Sequence, residues 1–451
     1  MDLSNIHNVY FVGIGGIGMS ALARYFHESG KQVAGYDKTP TKITTNLEKL
    51  GISIHFKDSV VLVPDDFKNK SNTLVIYTPA VKVSHEELQY FKTNNFFIQK
   101  RAEVLGLITK NTFCFAVAGT HGKTTTSSIL GHLLKICNAE MTAFLGGITE
   151  NYHSNLILNG SKISVIEADE FDRSFLHLFP NVACITSMDA DHLDIYGEAD
   201  ELEKSFVEFS NKLTNKKKLF IKNGLPLEGI TYGVNENADY SIQDVEIING
   251  VYHFSIKTPT SLIKNVQFNL PGKHNLNNAL VAFAMAYDYG FETAKLVEAL
   301  ASFKGVERRF TCHIKSDNIV YIDDYAHHPT EINAVYQAIK EMYPEDKVMV
   351  IFQPHLFSRT KDFADDFAVS LSQFDELCLL DIYPARELPI PGITSEWLLS
   401  KMTLKKKKII NKNELISEIT KSDAKIILTI GAGDIGNEVS KIKESILNTC
   451  K

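Results

Sequence analysis

The sequence predicts an α/β protein built from parallel sheets in three successive blocks. Short apolar runs of strand length alternate with helical stretches along most of the chain, the rhythm of βαβ units and hence of parallel sheets. At 451 residues, 44% of them hydrophobic, the chain is also too long for a single core and suits about three domains of roughly 150 residues.

The first block opens on the apolar run Val9 to Val12, a glycine turn, a helical stretch from Met19 to Glu28 and a second strand, QVAGYD; NTLVIYTPA is a further buried strand. The second begins near Asn111 with FCFAVA and continues through ISVIEAD and VACITSMDA, each of these two ending in acidic residues. The alternating stretch YSIQDVEIINGVYHFSI predicts an antiparallel edge or hairpin, followed by the helix NLNNALVAFAMAYDYG. From about Lys315 the third block repeats strand, loop and helix through NIVYIDDYAHHPTEI, VMVIFQPHLFSRT, ELCLLDIY and KIILTIGAGDIG. The expected domains are 1–106, 107–313 and 314–451.

Composition excludes several classes of function. No apolar run reaches the ~18 residues that span a bilayer, and the N-terminus lacks the regions of a signal peptide, so a soluble cytoplasmic protein is expected, with no membrane insertion. A net charge of −7 argues against bulk nucleic-acid binding, and the runs Lys216 to Lys218 and Lys405 to Lys408 read as solvated surface. The six cysteines have no C-x-x-C spacing and read as reduced core residues rather than bridges or zinc ligands.

Two glycine turns match G-x-G-x-x-G after a strand: Gly13, Gly15 and Gly18 near the N-terminus, and Gly431, Gly433 and Gly436 near the C-terminus. Such glycines let backbone N–H groups approach a pyrophosphate at a helix N-terminus, and Asp37 stands where a ribose-binding acid is expected after the first turn. One chain seldom needs two dinucleotide sites. The last turn therefore reads mainly as a tight strand-to-helix connection, and the first as weak support for a nicotinamide cofactor.

GTHGKTTT is more specific. It falls short of the G-x-x-x-x-G-K-[ST] loop, because the residue five before Gly122 is Val117. Even so, Phe113 to Ala118 supplies a strand, Gly119 and Gly122 permit a tight backbone wrap, Lys123 can reach β/γ-phosphates and Thr124 can offer a hydroxyl to Mg²⁺. Glu167 and His192 both follow apolar strands and so fall at the C-terminal sheet edge, where ligands bind in open α/β folds. Mg²⁺ favours oxygen ligands such as Glu167; His192 would be an unusual ligand and taken alone reads as a structural histidine. From the residues alone, a nicotinamide dehydrogenase and a nucleotide-binding switch both stay open.

GIGGIGMSALA, AGTHGKTTT, EADEFDRSFL, DADHLDIYG, GKHNLNNA, ERRF, DDYAHHPTEI, FQPHLFSRT and PIPG occur in the order seen in the Mur ligases, and on these motifs the chain resembles that family over nearly its whole length. The resemblance implies an N-terminal Rossmann-like domain, a central P-loop ATPase-like domain and a C-terminal Rossmann-like domain. It also implies an activity of the alanine-adding branch: ATP phosphorylates the lactyl carboxylate of UDP-N-acetylmuramate, and L-alanine displaces the phosphate. The implied catalytic residues are Lys123, Glu167 and His192, with metal at Thr124, Glu167 and His192. Two Mg²⁺ ions are expected, with Mn²⁺ able to substitute. ATP would be held by Gly119, Thr120, His121, Gly122, Lys123, Thr124, Thr125, Asn275, Asn278, Arg308, Asp324, Tyr325 and His327, with Asp323 an alternative to Asp324 for the ribose. The UDP-sugar would sit on Gly13, Gly15, Gly16, Ile17, Gly18, Asp37, Thr78, Pro79 and Ala80, and His355 with Arg359 would hold the amino acid or carboxylate. A monomer or weak homodimer is expected, as is a hinge near residues 305–318. A homologue that attaches a preformed tripeptide to the same nucleotide is the nearest alternative.

The chain departs from the family pattern at Leu356, where many members have arginine, and at Phe171 and Arg173, which replace smaller residues. Arg359 is then the better candidate for facing the carboxylate.

Overall fold

The computed structural model describes residues 5–189, 199–385 and 387–449. Among them the strands form sheets of five, ten and six, and the residues group into two compact units. The first unit spans the described residues up to Asp244 with Phe254–Val266 and Asn277–Phe303; the second holds Val245–His253, Gln267–Leu276 and the residues from Lys304 on.

The five-stranded sheet runs in the order Ser53–His55, Gln32–Tyr36, Asn8–Val12, Thr73–Tyr77, Phe97–Lys100, all parallel. Asn8–Val12 is buried at every position, so it reads as a continuous apolar run without alternation. Both its neighbours leave the sheet at the same end as its glycine turn, which sets that turn at the point where the strand order reverses.

In the ten-stranded sheet, Phe113–Ala118 lies between Val182–Ile185 and Ile163–Glu167, parallel to both. Met141–Thr149 follows on the far side of Ile163–Glu167, with Ser154–Leu158 antiparallel at the edge. The expected hairpin is present: Tyr240–Ile248 and Val251–Lys257 are joined by Asn249 and Gly250, whose φ values of 54° and 81° are those of a two-residue type I′ turn. One core cluster runs from Val9, Phe11 and Ile14 to Ala116, Ala118 and Ile166, packing the first sheet and the start of the second together within the first unit. Cys114, Cys184 and Cys378 are buried core residues, whereas Cys137 is only partly buried and Cys312 is exposed, so the expectation of core cysteines holds for three of the five described; all five are free thiols.

The six-stranded sheet of the second unit has the order Thr311–Lys315, Val320–Asp324, Ile426–Ile430, Val348–Phe352, Glu376–Leu379, Lys407–Ile409, antiparallel only at the first pair. No described helix is long and apolar enough to cross a membrane.

Candidate active site

The strand Phe113–Ala118 delivers the chain to Gly119, whose φ of 126° only glycine adopts readily and whose missing side chain matters, since a Cβ there would lie 2.2 Å from Thr186 Oγ1. The loop is then held by the segment after Val182–Ile185: Thr120 N donates to Ser187 O at 3.1 Å, His121 N to Ser187 Oγ at 2.8 Å and Thr120 Oγ1 to Asp189 O at 2.9 Å. Gly122, at φ 84°, starts the helix Lys123–Ile136, and a Cβ on it would meet Asn278 Oδ1 at 2.6 Å, so Asn278 lies directly against the loop.

Lys123 is turned back into this loop. Its Nζ donates to Gly119 O at 2.7 Å and meets both oxygens of Glu170, at 2.9 and 2.8 Å; Glu170 is buried. Burial alone would discharge the lysine, but the carboxylates of Glu170 and Asp169 outweigh it and hold its pKa above the ordinary value. The same burial pushes the Glu170 carboxyl up, to about 7, against the pull of Lys123.

Thr124 Oγ1 donates to Glu167 Oε1 at 2.9 Å, and Gly146 N donates to Glu167 Oε2 at 2.8 Å; a Cβ on Gly146 would stand 2.5 Å from that carboxylate. A hydroxyl and a carboxylate, fixed beside the loop, are the hard oxygen donors that fit Mg²⁺. Among the described residues no group of three His, Cys, Asp or Glu gathers, and His192 lies outside the described residues.

The N-terminal turn faces open space. A cavity of about 850 Å³ is lined by Gly13, Gly15, Gly16, Ile17 and Gly18 at the start of the helix Ile17–Glu28, by Asp37, Thr78 and Ala80, and by Arg101, Glu167 and Asp169. Pro79 is not on its wall. Asp37 Oδ2 accepts from Gly15 N at 2.7 Å, which fixes the turn from within. Arg101, missed in the sequence, begins the helix Arg101–Lys110 and lies so close to the turn that a Cβ on Gly18 would be 2.6 Å from its Nη1; its Nη2 reaches Asp169 Oδ2 at 3.4 Å.

In the second unit, Arg308 donates from Nε to Asp323 Oδ2 at 2.9 Å and from Nη2 to Gly431 O at 2.7 Å, while Asp323 also accepts from Thr429 Oγ1. Asp324 accepts from Phe310 N at 2.6 Å and Ala326 N at 2.7 Å, and burial raises its pKa to about 6. Both acids are thus engaged within the fold. Arg308 and Arg309 lie 5.4 and 5.2 Å from the centre of the Tyr325 ring. His327 pairs with Glu331 at 3.2 Å; His355 stacks on Tyr383, with Arg359 Nη1 3.5 Å from its Nδ1 and the His327 ring 6.0 Å away. His327, His355 and Arg359 therefore share one corner, with Tyr383 an addition the sequence did not suggest. Asn275 donates to Pro271 O at 2.7 Å. Leu356 is buried at φ 71°, a conformation for which the structure offers no evident reason. Arg173 faces Glu201 and Glu208 at 3.6 and 3.8 Å.

Residues 8–112 match the Mur ligase family catalytic domain, 117–286 the Mur ligase middle domain, and 308–433 the Mur ligase glutamate ligase domain. The chain belongs to the Mur ligase family. Among its relatives, the UDP-N-acetylmuramate–L-alanine ligase of Flavobacterium psychrophilum is 63% identical over 446 residues, and that of Flavobacterium johnsoniae 61%, each alignment covering 99% of both chains. The crystal structure of the UDP-N-acetylmuramate–alanine ligase of Thermotoga maritima matches with a TM-score of 0.83 at 30% identity, over 98% of this chain and 99% of that one. Family membership settles the fold class as the three-domain Mur ligase architecture. The relatives and the solved structure are named as ligases and not as dehydrogenases, which favours the ligase reading of the chain over the dehydrogenase one.

Proposed function

We propose that the chain is an ATP-dependent ligase that joins L-alanine to the lactyl carboxylate of UDP-N-acetylmuramate, releasing ADP and phosphate. One observation carries the reading beyond the relatives' names: a single cavity is lined both by a pyrophosphate-type glycine turn and by Glu167, which is bonded to Thr124 of the ATP-type loop. A UDP-sugar held by its pyrophosphate in that cavity would present its carboxylate to a γ-phosphate held by the loop.

A carboxylate is a poor electrophile, so activation precedes attack. The lactyl oxygen attacks the γ-phosphorus and the bond to ADP breaks. The L-alanine amine then adds to the acyl carbon and loses a proton, and the C–O bond breaks to give the amide and phosphate. Lys123, released from Glu170, would stabilise charge on the transferring group, and the backbone of residues 119–125 would cradle the phosphates. Thr124 and Glu167 would hold one Mg²⁺ and Glu167 with His192 a second, neutralising charge between carboxylate and γ-phosphate. Asn275, Asn278, Arg308, Asp324, Tyr325 and His327 are assigned to the adenine and ribose, and His355 with Arg359 to the amino acid. Domain boundaries near 106 and 313, a monomeric or weakly dimeric state and a cytoplasmic location belong to the same proposal.

Phosphate release with ATP, Mg²⁺ and UDP-N-acetylmuramate, screened against L-alanine, glycine, L-serine and a stem tripeptide, tests it. L-Alanine should give the highest kcat/KM; preference for the tripeptide would reassign the chain to peptide recycling.

A further inference from the structure

Two cations lie at the proposed substrate sites, and each is already paired with one of two consecutive acids. Lys123, in the ATP-type loop, is bound by Glu170 at 2.8 Å; Arg101, on the wall of the cavity beside the glycine turn, is met by Asp169 at 3.4 Å. The turn bearing these acids is pinned at both ends. On one side the strand Ile163–Glu167 continues into Ala168, which is buried and donates to Val117 O at 2.8 Å. On the other Phe175 is buried and stacks on Phe209 with ring centres 4.8 Å apart. Between them Asp172 and Arg173 both hold φ near 52°, a left-handed conformation that side chains other than glycine adopt at a cost. Asp169 O accepts from Phe175 N and Glu170 O from Arg173 N, both at 2.9 Å, so the main chain under the two acids is held in one turn.

A buried lysine without a counter-charge is strongly unfavourable, which gives Glu170 a purpose when no nucleotide is bound and makes it a competitor when one arrives. Arg101 is in the same position toward an oxyanion entering the cavity, and Gly18 is the residue that lets its guanidinium lie against the helix N-terminus, where anions are favoured. We propose that Asp169 and Glu170 are built-in stand-ins for the two anionic substrates. Glu170 keeps the place of ATP's terminal phosphate on Lys123, and Asp169 keeps the place of an oxyanion of the UDP-sugar on Arg101. Because they sit in one pinned turn, displacement of either loosens the other, and the two substrates bind with positive coupling. Asp169, Glu170 and Arg101 are positioning residues for a reaction whose assignment is that of the preceding section.

Calorimetric titration of the full chain with the β,γ-methylene analogue of ATP and Mg²⁺, with and without saturating UDP-N-acetylmuramate and without amino acid, tests this. The UDP-sugar should tighten binding of the analogue by about tenfold, and the analogue should tighten the UDP-sugar by the same factor. Glu170→Gln should bind the analogue more tightly than wild type and Asp169→Asn should do so for the UDP-sugar, and in both the coupling should shrink toward unity, with folding checked by thermal melting. Replacing the UDP-sugar with UDP separates the sources of the oxyanion: full coupling with UDP assigns Arg101 to the pyrophosphate, and coupling only with UDP-N-acetylmuramate assigns it to the lactyl carboxylate. Independent binding in the wild type, or undiminished coupling in both folded variants, would overturn the proposal. Failure of the wild type to bind either ligand would instead strike at the ligase assignment.

Discussion

The two G-x-G-x-x-G turns of this chain have the same spacing and opposite fates. The N-terminal turn opens on a cavity of about 850 Å³ and leads straight into the α-helix Ile17–Glu28. The C-terminal turn is filled by the protein itself: Gln353 Nε2 donates to Asp434 Oδ1 and its Oε1 accepts from Ile435 N, both at 2.8 Å, and Arg308 Nη2 donates to Gly431 O at 2.7 Å. It is followed by the 3₁₀ turn Asp434–Asn437, and the α-helix Val439–Thr449 starts only later. A glycine motif thus states what a backbone can do, and the side chains that reach it decide whether a ligand can. The third glycine turn, 119–122, is intermediate: its lysine is occupied by the buried carboxylate of Glu170, which on the proposed reading gives way to a terminal phosphate.

Substitutions can break this contrast. The largest effect belongs to Lys123→Ala, which removes a charge used most fully in the transition state and should lower turnover by roughly 10²-fold or more. Near-normal turnover of the folded variant would remove Lys123 from the chemistry. Next comes Gly16→Val. A Cβ there meets nothing closer than 3.7 Å, so the side chain should leave folding nearly unchanged and crowd the cavity instead. The KM for the UDP-sugar should rise about tenfold with little change for ATP, the signature of lost binding in one subsite. Equal effects on both substrates would contradict the separation of the two turns.

The C-terminal turn should respond in stability rather than in KM. A Cβ on Gly433 would lie 2.3 Å from Gln353 Oε1 and 2.8 Å from Tyr383 Cβ, so Gly433→Val should destabilise by about 1–3 kcal/mol, the ordinary cost of overpacking, and lower Tm by several degrees. The smallest effect is expected of Asp37→Asn, which weakens a charge-assisted bond to Gly15 N and should raise the KM for the UDP-sugar only a few-fold. A strong nicotinamide-binding signal in the parent protein would reverse the reading of Asp37 altogether.

Much of the fold was legible because buried parallel strands announce themselves as unbroken apolar runs: Val9–Val12, Phe113–Ala118 and Val348–Phe352 all lie in parallel strands. The Asn249–Gly250 hairpin was legible from turn chemistry, and the ATP-type loop from the coincidence of two glycines with a lysine and a threonine. What the sequence hid is pairing at a distance. Nothing in the spacing says that Arg101 lies across Gly18, or which acid of EADEFD meets which cation. The available signal was an excess: that stretch has more carboxylates than one metal needs, and a lysine enclosed in a glycine loop must find a counter-charge. The C-terminal turn was indistinguishable in sequence from the N-terminal one because Gln353 and Arg308, the residues that fill it, come from elsewhere in the chain.

The central claim, that this ligase activates its carboxylate by phosphorylation, is tested most directly by isotope transfer. UDP-N-acetylmuramate labelled with ¹⁸O in the lactyl carboxylate is turned over with ATP and L-alanine, and the released phosphate is analysed by mass spectrometry. An acyl phosphate requires one carboxylate oxygen to leave with the phosphorus, so each phosphate formed should carry a single ¹⁸O. Phosphate free of label, formed together with the amide, would contradict the mechanism.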